Sequence, residues 1–168
     1  ISFPDFRSSE RAFNMLEQVS GRAGRAHKQG LVVVQTYSPT HPIIKFVQEH
    51  DFKSFYDYEL EERRTFKYPP FTRIVNVYVK HRNEDTLIEV SVRYSNMLRE
   101  VFGNRVFGPE PPMVARVQNF HIRQIMLKFE TEASMVKVKG ISRNIYERLA
   151  EADRRMKSTI LYYDVDPM

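Results

Sequence analysis

Beyond the adjacent prolines Pro69 and Pro70 the apolar residues change period in a fixed order, and that order constrains the fold more than any other feature of the chain. Residues 73–80 alternate, with Val75, Val77 and Val79 on one face, and residues 84–102 carry Leu87, Val90, Tyr94, Met97, Leu98 and Val101 at helical spacing. A loop rich in glycine and proline follows. Then come a short strand candidate at 114–117 and an alternating stretch at 121–130, where Ile125, Leu127 and Phe129 share a face. Val138, Ile141, Ile145, Leu149 and Ala152 mark another helix, and residues 160–165 a last strand. The order β-α-β-β-α-β predicts an α+β domain of the split βαβ kind, an antiparallel sheet with two helices packed on one face. That plan serves binders, sensors and scaffolds alike, so it names no function.

Tyr68-Pro69-Pro70-Phe71 stops helix formation, because neither proline donates a backbone N–H and each pushes its predecessor to extended geometry. A domain boundary is placed there. Upstream, residues 9–19 set Ala12, Phe13, Leu16 and Val19 at helical spacing, with Ser8 or Ser9 as N-cap and Gly21 as the stop. The run Leu31-Val32-Val33-Val34-Gln35-Thr36-Tyr37 has the composition of a strand buried on both faces of a parallel sheet. Two short helices are expected next, one ending near His50 and one near Thr65, the second with Phe52, Phe55, Tyr56, Leu60 and Arg63 along its stripe. The first helix and the strand therefore read as the last fragment of an α/β lobe whose other strands are elsewhere.

Composition narrows the chemistry. The chain has 168 residues and no cysteine, which removes disulfides, a thiol nucleophile and cysteine-ligated metal from these residues and fits a reducing cytosolic compartment. The longest apolar run is the four residues 31–34, far short of the roughly 20 that span a bilayer, and Ile1-Ser2-Phe3-Pro4 has no export-signal pattern. A first residue other than Met reads as a piece of something longer. The net charge is +5, of which +4 falls in residues 71–168, and this favours a polyanionic partner. Arg116, His121, Arg123 and Lys128, on neighbouring predicted strands, are candidates for phosphate contact, and Tyr68 or Phe71 for base stacking. A solvated sheet edge with aromatics packed at a domain seam is the alternative for the same residues. Asp164 and Asp166 read as the close of a strand rather than a metal pair, and the five histidines lack ligand spacing, so no metal site is expected.

The stretch Gln18-Val19-Ser20-Gly21-Arg22-Ala23-Gly24-Arg25 carries the most specific chemistry. Two arginines three apart, each beside a glycine, can project to one side of a backbone that approaches a ligand closely. The planar, permanently charged guanidinium suits bidentate contact with phosphate oxygens. In phosphoryl transfer such an arginine matches the charge that develops on the γ-phosphate. A helix C-terminus whose arginines meet only the helix dipole and water is the other reading of the same residues.

With Gln18 three residues ahead of the first glycine, the stretch resembles motif VI of superfamily-two helicases, Gln-x-x-Gly-Arg-x-Gly-Arg. The resemblance extends along the chain through Asp5-Phe6-Arg7-Ser8-Ser9-Glu10-Arg11, Gln35-Thr36-Tyr37, His41-Pro42, Glu62-Arg63-Arg64, Tyr68-Pro69-Pro70-Phe71, Gly108-Pro109 and Asp164-Val165-Asp166-Pro167. These blocks together are similar to the C-terminal part of the primosomal replication-restart DNA helicases. The resemblance implies that residues 1–37 close the second RecA-like lobe, 38–70 form a helical connection, and 71–168 are a DNA-holding accessory domain of ferredoxin-like or ribosomal-protein-like fold. It implies Arg22 and Arg25 as catalytic residues, Arg25 as the finger, and Gln18, Gly21 and Gly24 at the nucleotide. It also implies ATP and magnesium in the parent enzyme, zinc held there by cysteines outside this chain, and 3′-to-5′ movement on DNA. Branched or single-stranded DNA, other primosome proteins and single-strand-binding protein are the implied partners, in a bacterial cytoplasm at the nucleoid, with no membrane.

Two departures qualify what this chain does alone. It contains no Gly-x-x-x-x-Gly-Lys-Ser/Thr loop and no acidic block after a strand, so the phosphate cradle and magnesium ligands lie elsewhere and these residues alone are expected to be inactive toward ATP. Where the family has an aromatic-Arg-aromatic-Gln strand, this chain reads His121-Ile122-Arg123-Gln124. The competing expectation is a self-contained basic nucleic-acid-binding module without ATPase activity.

Overall fold

A computed structural model describes residues 5–23 and 30–167. The chain divides into two compact units between Phe66 and Lys67, slightly ahead of the expected boundary at residue 70.

The upstream unit is helical: α1 (Ser8–Ala23), α2 (Pro42–Glu49) and α3 (Phe52–Thr65). Proline at the first turn and the His41 ring, whose Nδ1 accepts the Ile43 N–H at 3.3 Å, start α2. Asp51 starts α3 by accepting the Ser54 N–H at 2.9 Å, and the Ser54 hydroxyl helps hold its carboxyl below the usual range. Phe13, Ile43, Val47 and Phe55 form one small core, with the Phe13 and Phe55 rings stacked at 4.1 Å. Arg63, mostly buried, bonds Glu59 on its own helix at 3.1 Å and Glu10 of α1 at 2.8 Å. Residues assigned in sequence to a lobe end and to a helical connection thus share one core here.

Three expectations for this unit are corrected. Helix α1 begins at Ser8, so Ser8 and Ser9 lie inside it, and Asp5 is the residue that accepts the Arg7 N–H, at 3.1 Å. The helix also runs through Gly21 to Ala23, so Gly21 is not its stop. Residues 30–37 form no strand: Leu31 is 87% and Val33 82% exposed. A β-branched run becomes a strand only against a neighbouring strand, and the described residues of this unit are otherwise helices and turns.

The downstream unit follows the period order of the sequence with one addition. Its elements are β1 (Arg73–His81), α4 (Glu84–Phe102), β2 (Val106–Glu110), β3 (Arg116–Val117), β4 (Phe120–Phe129), α5 (Met135–Ala152) and β5 (Ile160–Val165). The sheet order is β2-β4-β1-β5, each pair of neighbouring strands antiparallel, with β3 folded back on β4. Strand β4 lies between the ends of β1-α4-β2, and β1 between the ends of β4-α5-β5, so two βαβ units interleave. The expected glycine-proline loop contains β2, and the strand expected at 114–117 is reduced to Arg116 and Val117. Strand β2 is broken by a register shift at Gly108, whose φ is +90° and where a Cβ would meet the Gln124 carbonyl oxygen at 2.8 Å.

Alternation puts Val75, Val77 and Val79 opposite Leu127, Ile125 and Arg123. The apolar members pack under Leu87, Val90, Tyr94 and Leu98 of α4 and Val138, Ile145 and Leu149 of α5. Asn83 and Ser134 cap the two helices by accepting the N–H groups of Thr86 and Lys137. One buried polar link crosses this core. The Tyr94 hydroxyl lies 2.6 Å from the Ser142 Oγ and donates to the Ser142 carbonyl at 3.0 Å, and burial drives its titration far upward.

Candidate nucleotide and nucleic-acid interfaces

On α1, Gln18, Gly21 and Arg22 occupy positions i, i+3 and i+4, one face of the helix, and all three are exposed. Among the described residues no ion pair is formed by Arg22, and the nearby Glu17 is engaged with His50 Nδ1 at 3.1 Å. A Cβ at Gly21 would meet nothing within 4 Å, so packing among the described residues does not require glycine there. Glycine inside a helix costs about 1 kcal/mol relative to alanine. Gly24 and Arg25 lie outside the described residues.

The residues predicted to hold phosphates in the downstream unit are not brought together. Directly opposed residues of an antiparallel pair point to the same face. Arg123 is opposite Val79 and His121 opposite both His81 and Arg116, which puts all three candidates on the side of the sheet that carries the helices. His121 Nδ1 is 3.5 Å from Glu84 at the start of α4, and Arg116 Nε donates to the Gln118 carbonyl at 3.3 Å. Lys128 is opposite Ile74, on the other face and at the other end of β4. Its ammonium sits 3.6 Å from the centre of the Tyr68 ring and 5.3 Å from that of Phe107. Phe71 is half-buried and follows the cis Pro69-Pro70 bond. The contiguous strip expected from neighbouring strands fails because alternation sends odd- and even-numbered residues to opposite faces.

Burial, followed by repulsion from Lys67, lowers the Lys128 ammonium to about 8. Its folded value is below the unfolded one, so folding penalises the charged form below about 8, and the penalty is relieved between there and 10.5. Wild-type protein should therefore gain thermal stability relative to Lys128→Met as pH rises from about 7 to about 10, as read from paired melting curves. A difference that stays constant or reverses would assign the shift to something else.

The face of the sheet turned away from α4 and α5, whose centre at Ile74, Asn76, Ile122 and Met126 is buried, holds aromatic residues that the sequence reading did not single out. Tyr78 of β1 and Tyr162 of β5 are directly opposed, their rings stacked at 4.7 Å and 12°, and the Lys80 ammonium lies 4.6 Å from the Tyr162 ring centre. The Arg82 guanidinium covers Phe120 at 5.4 Å at one end of the face, and Lys128 covers Tyr68 and Phe107 toward the other. Burial pushes the Tyr78 and Tyr162 hydroxyls above their usual titration range. Asn76, 6% exposed, lies on the same face as Tyr78, and its Oδ1 has no hydrogen-bond partner among the described residues. The signal was present in the sequence: positions 78, 80 and 82 are the outward complement of the buried valines of β1.

Among the described residues no cluster of potential ligands is arranged to hold a metal ion, and no helix is long and apolar enough to cross a membrane.

Comparison with known proteins places these features in context. Residues 64–168 match the family described as the primosomal protein N C-terminal domain. The chain is 34% identical over 137 residues to replication restart protein PriA of Bacillus subtilis, covering 80% of this chain and 17% of that protein. Against the protein of the same name from Treponema pallidum it is 32% identical over 167 residues, 98% of this chain and 24% of that protein. For Thermotoga maritima the figures are 36% over 128 residues, 76% and 17%. The chain thus spans less than a quarter of the length of each of these relatives.

Proposed function

Since the chain belongs to the primosomal protein N C-terminal domain family, we propose that it is the C-terminal part of an ATP-dependent 3′-to-5′ DNA helicase that restarts stalled replication forks and assembles the primosome. In this reading the face of α1 bearing Gln18, Gly21 and Arg22, followed in sequence by Gly24 and Arg25, meets ATP and its magnesium held by a lobe outside these residues. The observation that carries it is the exposed Gln18–Gly21–Arg22 face with a helical glycine that packing does not require. A glycine there leaves room for a phosphate to approach the helix, and the guanidinium supplies charge to the γ-phosphate oxygens.

The downstream unit holds branched or single-stranded DNA in the same reading, with other primosome proteins and single-strand-binding protein as further partners. Zinc would be held by cysteines that this chain lacks. Support for a part rather than a self-contained module comes from the relatives, of which the chain spans at most 24%.

The DNA assignment is tested by titrating the chain into labelled oligothymidylate at several salt concentrations. With about three phosphate contacts and a slope near −0.7 per contact, affinity should fall roughly twentyfold between about 50 and about 200 mM salt. No binding at the lower salt, or binding without salt dependence, would remove DNA from the reading.

A further inference from the structure

The face of the sheet turned away from α4 and α5 combines three features. Its exposed rings come from strands remote in sequence: Tyr162 from β5 and Phe107 from β2, each 37% exposed, beside Tyr78 on β1. Cations cap these rings, Lys80 on Tyr162 and Lys128 on Phe107, with Arg82 on Phe120 further along. The ring nearest the centre is held by its neighbour, Tyr78 being stacked on Tyr162 at 4.7 Å.

We propose that this face is a stacking platform for unpaired DNA, with bases on Tyr162 and Phe107 and phosphates on Lys80, Arg82 and Lys128. The inference rests on the reading of this unit as a DNA holder and names the face, the strand state and the residues.

Rings standing on a sheet reach base faces only when the bases are free of a duplex, so the chemistry selects a single strand. Lys80 and Lys128 are only partly exposed over their rings, but the lysine head sits on a flexible four-carbon stem that lets it leave a ring for a nearby anion. A base therefore displaces the ammonium from the ring, and the ammonium moves onto the adjacent phosphate. Asp164 and Glu110 lie on the same face, opposite Asn76 and Gln124. They repel phosphate and confine the backbone to the cationic ends, while their oxygens can accept from base amino groups.

The chain contains no tryptophan, which gives a clean test. Tyr162→Trp should fold and show indole fluorescence that oligothymidylate quenches and a blunt DNA duplex does not. The double variant Tyr162→Ala/Phe107→Ala should lose about tenfold in affinity per ring, near a hundredfold for oligothymidylate, with its affinity for duplex unchanged. Tyr162→Phe should retain wild-type affinity, because stacking needs the ring and not the hydroxyl. If the double variant, with an unaltered thermal melt, binds oligothymidylate within twofold of wild type, or the indole is not quenched, the platform is wrong while DNA binding by the unit stands. If wild-type chain binds neither DNA, both readings fall.

Discussion

Arg25→Ala, made in a protein that carries both helicase lobes, should lower ATP turnover by about a thousandfold while leaving DNA affinity within a few-fold of wild type. A loss of that size corresponds to about 4 kcal/mol of transition-state stabilisation. It is large because the charge that a guanidinium meets grows as the γ-phosphate is transferred, in a site from which water has been excluded. Arg25→Lys should rescue little, since a single ammonium cannot reproduce the two parallel donors of the guanidinium fork. Arg22→Ala tests the partner position on the exposed face of α1 and should act in the same direction. The measurement is DNA-stimulated phosphate release at saturating ATP, paired with a DNA titration. Turnover within threefold of wild type for Arg25→Ala would remove the finger role. Parallel loss of DNA affinity would point instead to damage of the fold.

The second large effect is on stability. Leu127 is fully buried on β4, opposite Val75 on one side and Val106 on the other, beneath the helices. Leu127→Ala should cost about 2–5 kcal/mol, the lost transfer free energy plus that of the cavity left behind. Against the roughly 5–15 kcal/mol that stabilises a domain, this is a large fraction. Urea unfolding followed by circular dichroism should show a lower midpoint at an unchanged slope. Tyr162→Leu, on the opposite face and 37% exposed, should move the midpoint far less. Equal effects at the two positions would contradict the two-faced sheet.

Most elements of the downstream unit are legible in the sequence because their patterns are local and strong. Three valines at alternate positions fix β1, and a long apolar stripe fixes α4. Strand β2 is not legible, since Gly108 and Pro109 carry the signature of a loop and only the neighbouring β4 makes them part of a sheet. Residues 31–37 show the converse: their composition is that of a strand, yet pairing is non-local and the described unit offers no partner. The arginine motif is readable because its residues, Gln18 to Arg25, are contiguous in the sequence. The aromatic face is harder, since Tyr78, Phe107 and Tyr162 belong to three strands whose adjacency only the sheet order supplies.

The Arg73–Asp166 contact, 2.5 Å between guanidinium and carboxylate, has a mechanical meaning. Asp166 Oδ1 also accepts the Ile74 N–H at 3.2 Å, so the start of β1 and the residue that follows β5 are clasped at one corner, where the two strands run antiparallel. Tension drawn through those two points does not shear the ladder. It opens the clasp and then peels the strands apart one rung at a time, from Val75–Val165 inward, so the domain yields to pulling at its ends more readily than to a force across its width.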